Sequence, residues 1–253
     1  MKNILAAFIF FTRLPFWRIT TVDKEYFKNV VTYWPYAGII TGGIGACVMI
    51  CASFVFPVYI SVILGIISRI LITGALHEDG LADFFDGFGG GRSKESILRI
   101  MKDSYIGSYG VIGLVLYFTL IISILSSLPV KYSAILFFCG DILCKSISSL
   151  IVNILPYART EEESKNKLIY KKILVVRLLV TNILVCSMLY IVYSMLLPVY
   201  MSLAIIAPVA VFMIFVIYIK NKIDGYTGDC CGAVFLLCEL VFFLISLGIY
   251  SWL

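Results

Sequence analysis

Long apolar stretches, bounded by proline, glycine or charged residues, make up most of this sequence. Each stretch is long enough to cross the hydrocarbon core of a membrane, which requires roughly 20 helical residues. A membrane β-barrel instead needs segments of about 10 residues with alternating polarity, a pattern that these uniformly apolar stretches lack. With 61% hydrophobic and 14% charged residues, the chain also has too little polar surface to coat a water-soluble body. We therefore predict an all-α, polytopic integral membrane protein.

The apolar stretches predict about seven transmembrane helices and one shorter N-terminal helix. Residues 4–17 reach Arg13 too early for a full span and lack a cleavage site, so we predict a retained interfacial or re-entrant helix. In the first span, Gly38, Gly42 and Ala46 form a small-residue stripe that lets helix backbones approach closely. The predicted spans are 36–56, 58–76, 108–128, 132–155, 173–197, 199–219 and 231–252.

Basic residues alternate between the loops, and this alternation predicts the orientation of the chain. Seventeen of the 20 Lys and Arg residues precede the first span or follow the second, fourth and sixth spans. Loops on the other side contain Lys131 alone, while Arg69 and Lys145 lie within spans. Because cytoplasmic loops carry the excess of Lys and Arg, we predict a cell-membrane protein with a cytoplasmic N-terminus. Thirteen of the 15 carboxylates share the cytoplasmic segments, so we expect the chemistry there as well.

Residues 77–87 carry the strongest chemical signal. Asp79, Asp83 and Asp86 are spaced by four and three residues, which places them within about 60° on one face if the segment is helical. Crowded carboxylates repel each other, and a divalent cation relieves that repulsion. Hard oxygen ligands without a Cys or His set suit Mg²⁺ shared with a phosphate. We predict that these aspartates bind magnesium; a solvated acidic loop is the alternative.

Groups suited to phosphate follow the acidic segment. The glycine run that begins at Gly87 lets the backbone approach an anion, and Arg92 would clamp that anion, although a flexible turn explains the glycines equally well. Ser93 is a candidate N-cap for a surface-lying amphipathic helix. That helix leads to a cation, a carboxylate and a hydroxyl at residues 102–104, near the mouth of the third span.

Two further aspartates, Asp224 and Asp229, flank a glycine-containing turn just before the last predicted span. In a short cytoplasmic loop they would complete the magnesium site or bind a second ion; a plain turn is the alternative. We expect this segment and residues 77–87 to converge around one magnesium–diphosphate cluster at the inner membrane boundary.

Four ionisable residues fall within predicted spans, where a charge is costly unless it is paired or faces water. They are Arg69, Asp141, Lys145 and Glu239. Asp141 and Lys145 are four apart on one helix, so mutual neutralisation and a role in the site are equally open. His77, the sole histidine, would point away from the acidic face. A general-base role and a structural hydrogen bond are both open for it.

Two motifs at this separation are highly specific: His77-x-Asp79-Gly80-Leu81-Ala82-Asp83-x-x-Asp86-Gly87 and Met101-Lys102-Asp103-Ser104. Further matching positions are Thr12-Arg13-Leu14-Pro15, Pro35-Tyr36-Ala37-Gly38, Gly42, Gly107, Gly110, Thr227-Gly228-Asp229, Gly232-Ala233 and Glu239. Through these residues the chain resembles, over nearly its whole length, the cobalamin synthase family of integral membrane adenosylcobinamide-GDP ribazoletransferases.

The resemblance implies a reaction and a set of site residues. α-Ribazole, or its 5′-phosphate, would attack the corrinoid-linked phosphate of adenosylcobinamide-GDP in the last step of nucleotide loop assembly. Adenosylcobalamin or its 5′-phosphate forms and GMP leaves, with Mg²⁺ required; positioning and charge neutralisation suit such phosphoryl transfer. Catalytic roles fall to Asp79, Asp83, Asp86, Asp103 and His77, metal binding to Asp79, Asp83, Asp86, Asp224 and Asp229, and substrate binding to Arg13, Gly87, Arg92, Lys102, Ser104, Lys145 and Thr227.

The resemblance also implies one transmembrane catalytic domain over residues 1–253, with cytoplasmic motif loops at 77–107 and 220–231. Its partners would be the two small-molecule substrates and the lipid bilayer, with no nucleic acid; homo-oligomer formation is left open.

The chain departs from the family pattern at three positions. Glu78 stands where members often carry an apolar residue, Tyr105 where many carry Arg, and Lys145 where Arg is expected. One expected anion contact is therefore absent.

Two other functions compete with this reading. A CDP-alcohol phosphotransferase would share the Asp83-x-x-Asp86-Gly87 start of its motif, but the Ala-Arg and the later Asp-x-x-x-Asp of that motif are missing. A small-molecule transporter would explain the charges within spans, but it would not explain the crowding of acidic motifs on one side.

Overall fold

The protein is built from helices, described in the computed structural model for residues 2–160, 169–196 and 199–252. These residues contain no strand, and a single isolated β-bridge joins Tyr157 to Tyr226. Turns of 3₁₀ helix occupy Phe16–Arg18, Val30–Tyr33 and Val199–Ile205. The α-helices are α1 (Lys2–Phe11), α2 (Lys24–Phe27), α3 (Trp34–Ser53), α4 (Val58–Thr73), α5 (Leu76–Gly90), α6 (Lys94–Lys102), α7 (Ser108–Ser126), α8 (Val130–Ser148), α9 (Ile151–Ile154), α10 (Val175–Leu196), α11 (Ile206–Ile223) and α12 (Gly228–Ser251).

Among the described residues, five helical segments are long and apolar enough to cross a membrane, and a sixth forms if α4 and α5 count as one bent span. The five are Val30–Ser53, Ser108–Ser126, Val130–Ile154, Ser202–Ile223 and Gly228–Ser251. The all-α, multi-pass membrane fold is therefore confirmed. α10 covers most of the predicted span 173–197. Its apolar part is described only from Val175 to Val185, which is too short to count as a full span. Seven crossings therefore remain a prediction. Lys165 and Lys167 of the predicted basic loop lie outside the described residues.

The second predicted span, 58–76, does not continue as one straight helix to residue 76. α4 has 16 residues and ends where Gly74 and Ala75 adopt left-handed backbone angles, with φ of 68° and 58°. A Cβ atom at Gly74 would lie 2.0 Å from Nε of Arg13, so the arginine side chain occupies the space that a larger residue would need. The chain then bends by 90° and continues as α5, so the segment predicted as a motif loop starts with a 15-residue helix.

The N-terminal helix is shorter than the predicted 4–17. α1 ends at Phe11, and its buried residues are Ala6, Ala7 and Phe11. The chain leaves α1 alongside α4, because the backbone N–H of Arg13 donates a 2.6 Å hydrogen bond to the carbonyl of Ile72. Whether α1 is interfacial or re-entrant stays a prediction.

α8 and α12 form the centre of the helix bundle. In the apolar parts of the segments Val130–Ile154 and Gly228–Ser251, 83% and 67% of the residues are buried. In the segment that contains α11 only 28% are buried, so most of its apolar side chains face outward. α3 packs directly on α8, since a Cβ atom at Gly38 would lie 3.1 Å from the Cα of Ile142. At Gly42 it would lie 2.9 Å from the Cβ of Asp141. The predicted close approach at these two glycines is confirmed.

The four charges within spans form two fully buried ion pairs. Arg69 Nη1 donates to both carboxylate oxygens of Glu239, at 2.6 and 2.7 Å. Lys145 Nζ lies 2.5 Å from Asp141 Oδ1 and donates to Oγ1 of Thr41 at 2.7 Å. The predicted neutralisation of Asp141 by Lys145 is therefore confirmed. Lys145 is fully buried in this pair, and its role in substrate binding stays a prediction.

Candidate active site

A cavity of about 150 Å³ lies where α1, α3, α5 and the first turn of α12 meet the loop that follows α9. We call it the acidic–aromatic pocket. Its aromatic and charged lining residues are Phe10, Phe11, Trp34, Tyr157, Tyr170, His77, Asp79, Arg159 and Asp229. Carboxylates, a guanidinium group and several rings therefore share one small space.

The pocket exists because α5 and the start of α12 pack backbone to backbone. A Cβ atom at Gly80 would lie 3.1 Å from the Cα of Asp229, and one at Gly232 would lie 3.3 Å from the Cα of His77. The two glycines thus let the helices approach closely, and this contact brings Asp79 and Asp229 to a common cavity. The two acidic segments therefore meet in space, whereas the magnesium–diphosphate cluster expected between them stays a prediction.

The acidic face of α5 runs from solvent into the protein. Asp79 is exposed, Asp83 is half-buried and Asp86 is 8% exposed. From Asp79 to Asp86 the helix rises about 10 Å. Among the described residues, no three His, Cys, Asp or Glu side chains are placed to hold one metal ion. A closed cage of aspartates is thus not formed there, although Mg²⁺ shared with phosphates needs only one or two carboxylates.

Asp86 holds the start of α7. Its Oδ2 accepts a 2.7 Å hydrogen bond from the backbone N–H of Gly107, and its Oδ1 accepts a 2.8 Å bond from that of Gly110. These N–H groups have no partner within a helix, and a carboxylate also complements the positive end of the helix dipole. A Cβ atom at Gly107 would lie 2.5 Å from Oδ1, so a larger residue there would displace the Asp86 carboxylate. The structure thus gives Asp86 a structural role that the sequence analysis did not predict.

We expect Asp86→Ala to lower the free energy of unfolding by about 2–4 kcal/mol, because two hydrogen bonds to a charged group are lost and their N–H donors are left unpaired. Thermal unfolding of the purified protein in detergent measures this change. Asp103→Ala is the matched control: Asp103 is exposed and accepts only a local 3.1 Å bond from Tyr105 N–H, so its loss should change stability little. Equal stabilities of the two variants would contradict the capping role.

Arg159 is a pocket residue that the sequence analysis missed. It is 8% exposed, and its Nη2 donates a 2.7 Å hydrogen bond to the backbone carbonyl of Leu98 in α6. From the sequence, Arg159 was counted only among the basic residues that predict the orientation. Its position soon after Pro156, on the same side as the acidic segments, was the available signal.

The loop that carries Arg159 is fixed to the turn before α12. Ala158 N–H donates to the carbonyl of Tyr226, and Tyr226 N–H donates to the carbonyl of Pro156, both at 2.9 Å. Burial raises the pKa of Tyr157 to about 12, and burial also raises the pKa of Tyr170 well above its usual value. Both phenols therefore stay protonated at neutral pH and keep an O–H donor at the pocket.

His77 lies in the wall of the pocket, within a ring cluster. Its centroid lies 5.0 Å from that of Phe235, 5.4 Å from that of Trp34 and 6.3 Å from that of Phe11. Its Nε2 is buried and has no hydrogen-bond partner among the described residues. That atom therefore makes no structural hydrogen bond there, and the general-base role stays a prediction.

Several predicted site residues lie outside the pocket lining. Exposed positions are occupied by Arg13, Arg92, Lys102, Asp103 and Ser104. Arg13 lies against the corner between α4 and α5, whereas the other four flank α6. The structure therefore places Lys102, Asp103 and Ser104 beside the α7 start that Asp86 holds, at the far end of the acidic face. Their roles with substrate stay predictions.

The remaining predicted residues have local structural roles. A Cβ atom at Gly87 would lie 2.4 Å from Cγ of Met101, so this glycine lets α6 pack on α5. Thr227 is the buried N-cap of α12, with Oγ1 accepting a 3.3 Å bond from Cys230 N–H. Asp224 ends α11 in a left-handed conformation and is exposed. None of the three lines the pocket, and Ser93 is the N-cap of α6, as predicted.

Fold and pocket together define a class: a multi-pass helical membrane protein with a carboxylate, arginine and aromatic site at one end of its bundle. Sequence comparison is more specific. The family model of cobalamin-5-phosphate synthase matches residues 3–247. This chain belongs to that family, and the resemblance drawn from its motifs is confirmed.

Curated relatives share nearly the full length of the chain. The adenosylcobinamide-GDP ribazoletransferase of Clostridium novyi is 34% identical, covering 98% of this chain and 97% of the relative. The enzyme of the same name from Leptospira interrogans is 36% identical, covering 96% and 94%, and that of Shewanella sp. W3-18-1 is 33% identical, covering 98% and 94%. No solved structure matches the chain.

Proposed function

We propose that this protein joins α-ribazole, or its 5′-phosphate, to adenosylcobinamide-GDP, giving adenosylcobalamin, or its 5′-phosphate, and GMP. Family membership and the names of the relatives support this reaction. The structural observation that carries it is the pocket shared by Asp79 of α5 and Asp229 of α12, which are far apart in sequence. Carboxylates with a neighbouring Arg159 suit a reaction on phosphate groups.

In the proposed reaction a ribose hydroxyl attacks the phosphorus atom bound to the corrinoid arm. A phosphorus–oxygen bond forms to the ribose, the bond from that phosphorus to the bridging oxygen of the diphosphate breaks, and GMP leaves with that oxygen. The hydroxyl proton passes to a carboxylate of the pocket, for which Asp79 is the exposed candidate. The guanidinium group of Arg159 offsets negative charge on the phosphates.

Magnesium fits the oxygen donors of the acidic face. Asp79 and Asp229, which line one pocket, would hold it together with oxygens of the diphosphate, since Mg²⁺ is commonly bound by one or two carboxylates plus substrate phosphates. When bound, it supplies charge neutralisation for the departing diphosphate oxygen. Asp86 contributes indirectly, because it fixes α7 against the end of this face.

The pocket is proposed to open to the cytoplasm. Its charged residues come from segments that the distribution of Lys and Arg predicts to be inside: the start of α5, the loop containing Arg159 and the turn before α12. Glu25 and Lys171 form an ion pair on this side, and that pair lowers the pKa of Glu25. Both substrates would then be taken from the cytoplasm.

Purified full-length protein in detergent, given adenosylcobinamide-GDP, α-ribazole and Mg²⁺, should release GMP and form the joined corrinoid. Chelation of Mg²⁺ with EDTA should reduce this release to background, and added Mg²⁺ should restore it. A reaction without α-ribazole is the control, because GMP formed there reports hydrolysis rather than transfer. If no GMP is released under conditions in which a known synthase is active, the proposed function is wrong.

The charges within spans, which suggested a transporter, have another explanation. Arg69 pairs with Glu239 and Lys145 pairs with Asp141 in the bundle core, so these charges are explained by mutual neutralisation. Beyond the shared Asp83-x-x-Asp86-Gly87, no described feature of the chain favours a CDP-alcohol phosphotransferase.

A further inference from the structure

The acidic–aromatic pocket has two chemically different sides. α1, the 3₁₀ turn at Val30–Tyr33 and α3 contribute rings and one aliphatic side chain, from Phe10, Phe11, Val31 and Trp34, with the indole Nε1 of Trp34 as their only side-chain polar atom. The charged groups come from α5, α12 and the loop after α9, with Asp79, Asp229 and Arg159. Such a pocket fits a molecule with a flat apolar ring at one end and a sugar or phosphate at the other.

We propose that this pocket binds the dimethylbenzimidazole base of α-ribazole, with the ribose at Asp79 and Asp229. This inference rests on the proposed function, and it assigns one half of one substrate to one part of the site. It places the attacking hydroxyl beside the carboxylates, while the base is held by the apolar side. The corrinoid substrate then reaches the ribose from outside, along the acidic face of α5.

Size and polarity favour this base over the other ring systems of the reaction. A cavity of about 150 Å³ is far too small for a corrin macrocycle. Guanine carries more donors and acceptors around its edge than Nε1 of Trp34 and Nε2 of His77, the buried lining atoms without a partner among the described residues, can pair, and each group left unpaired costs free energy. Dimethylbenzimidazole instead presents two methyl groups, which gain free energy from apolar contact.

The rings of the apolar side are already arranged against each other. Phe11 and Trp34 stack with centroids 5.2 Å apart and planes inclined by 14°. Phe10 meets Tyr170 edge to face at 6.1 Å. Phe10 is half-buried, in contrast to the fully buried Phe11 and Trp34, so it is the ring whose removal least disturbs the bundle.

The test compares Phe10→Ala with Phe8→Ala. Both residues are half-buried phenylalanines of α1, but Phe8 packs on Phe16, with centroids 5.1 Å apart, and does not line the pocket. Isothermal titration of the full-length protein in detergent with α-ribazole should give a Kd about 5- to 100-fold higher for Phe10→Ala, since aromatic stacking on a base has effects of this size. Phe8→Ala should match the wild type within twofold.

A second titration, with GMP, tests whether guanine occupies the pocket instead. If the pocket holds the base of α-ribazole, Phe10→Ala leaves the Kd for GMP and the KM for adenosylcobinamide-GDP within twofold of wild type. A raised Kd for GMP with unchanged α-ribazole binding would place guanine in the pocket and overturn the proposal. Equal effects of Phe8→Ala and Phe10→Ala on α-ribazole binding would also overturn it.

A substrate series keeps the test valid if Phe10→Ala does not fold. The wild-type protein should bind benzimidazole riboside, which lacks both methyl groups, about 5- to 20-fold more weakly than α-ribazole. Equal affinity would contradict an apolar base site. Because these are binding measurements, they remain informative even if no GMP is released, which would refute the proposed function separately.

Discussion

Asp79→Asn should lower kcat by about 10²- to 10⁴-fold without unfolding the protein. Asp79 is exposed at the acidic–aromatic pocket, so the substitution removes a negative charge without burying an unpaired group. If the carboxylate accepts the ribose proton, a loss of this size is typical for a general base. Release of GMP under saturating substrates measures the effect, and thermal unfolding checks that the fold is kept.

Asp23→Asn is the matched control. Asp23 is another exposed aspartate, 3.9 Å from Lys2, and it does not line the pocket. This variant should keep its activity within twofold. If Asp79→Asn retains more than a tenth of the wild-type kcat, Asp79 has no part in the chemical step. A raised Mg²⁺ requirement in Asp79→Asn would support the proposed role of this carboxylate as a metal ligand.

The largest stability change is expected from Glu239→Ala, which should lower the free energy of unfolding by about 3–5 kcal/mol. Breaking a buried ion pair on one side leaves an unpaired charge that is expensive to keep out of water. Here the remaining charge is the guanidinium group of Arg69, 4.6 Å from the ring centroid of Phe137 and 5.8 Å from that of Phe235. Thermal unfolding in detergent should show a lower Tm.

The double variant Arg69→Met with Glu239→Leu distinguishes an ion pair from simple packing. Because both charges are removed together, most of the lost stability should return. The phenol of Tyr117 then loses its 3.3 Å contact with Arg69, so full recovery is not expected. A double variant less stable than Glu239→Ala would show that the two charges do not act as a pair.

The sequence predicted those features that depend on local spacing. Asp79, Asp83 and Asp86 recur at helical intervals, and α5 is indeed a helix that carries them on one face. Ser93 was predicted as an N-cap and is one, because a cap depends on neighbouring residues only. The convergence of two acidic segments was predicted because both were placed on one side of the membrane.

Features that depend on tertiary contacts were missed. Arg159 reaches the pocket because its loop pairs with Tyr226, a contact that no periodicity encodes. Arg69 and Glu239 lie 170 residues apart, and each was identified only as a charge that needs some partner. The spacing of four residues between Lys145 and Asp141 did predict their ion pair, because both lie on one helix.

The corner at Gly74 and Ala75 was not predicted, since an alanine in the left-handed region has no sequence signature. It has a consequence for the surrounding lipid. The 16 residues of α4 rise about 24 Å, whereas the hydrocarbon layer is about 30 Å thick. A helix that starts at one lipid surface therefore ends below the other, and the polar α5 leaves the corner at that depth. We therefore expect the bilayer beside this corner to thin locally and water to reach the start of α5, because α4 is about 6 Å shorter than the hydrocarbon layer.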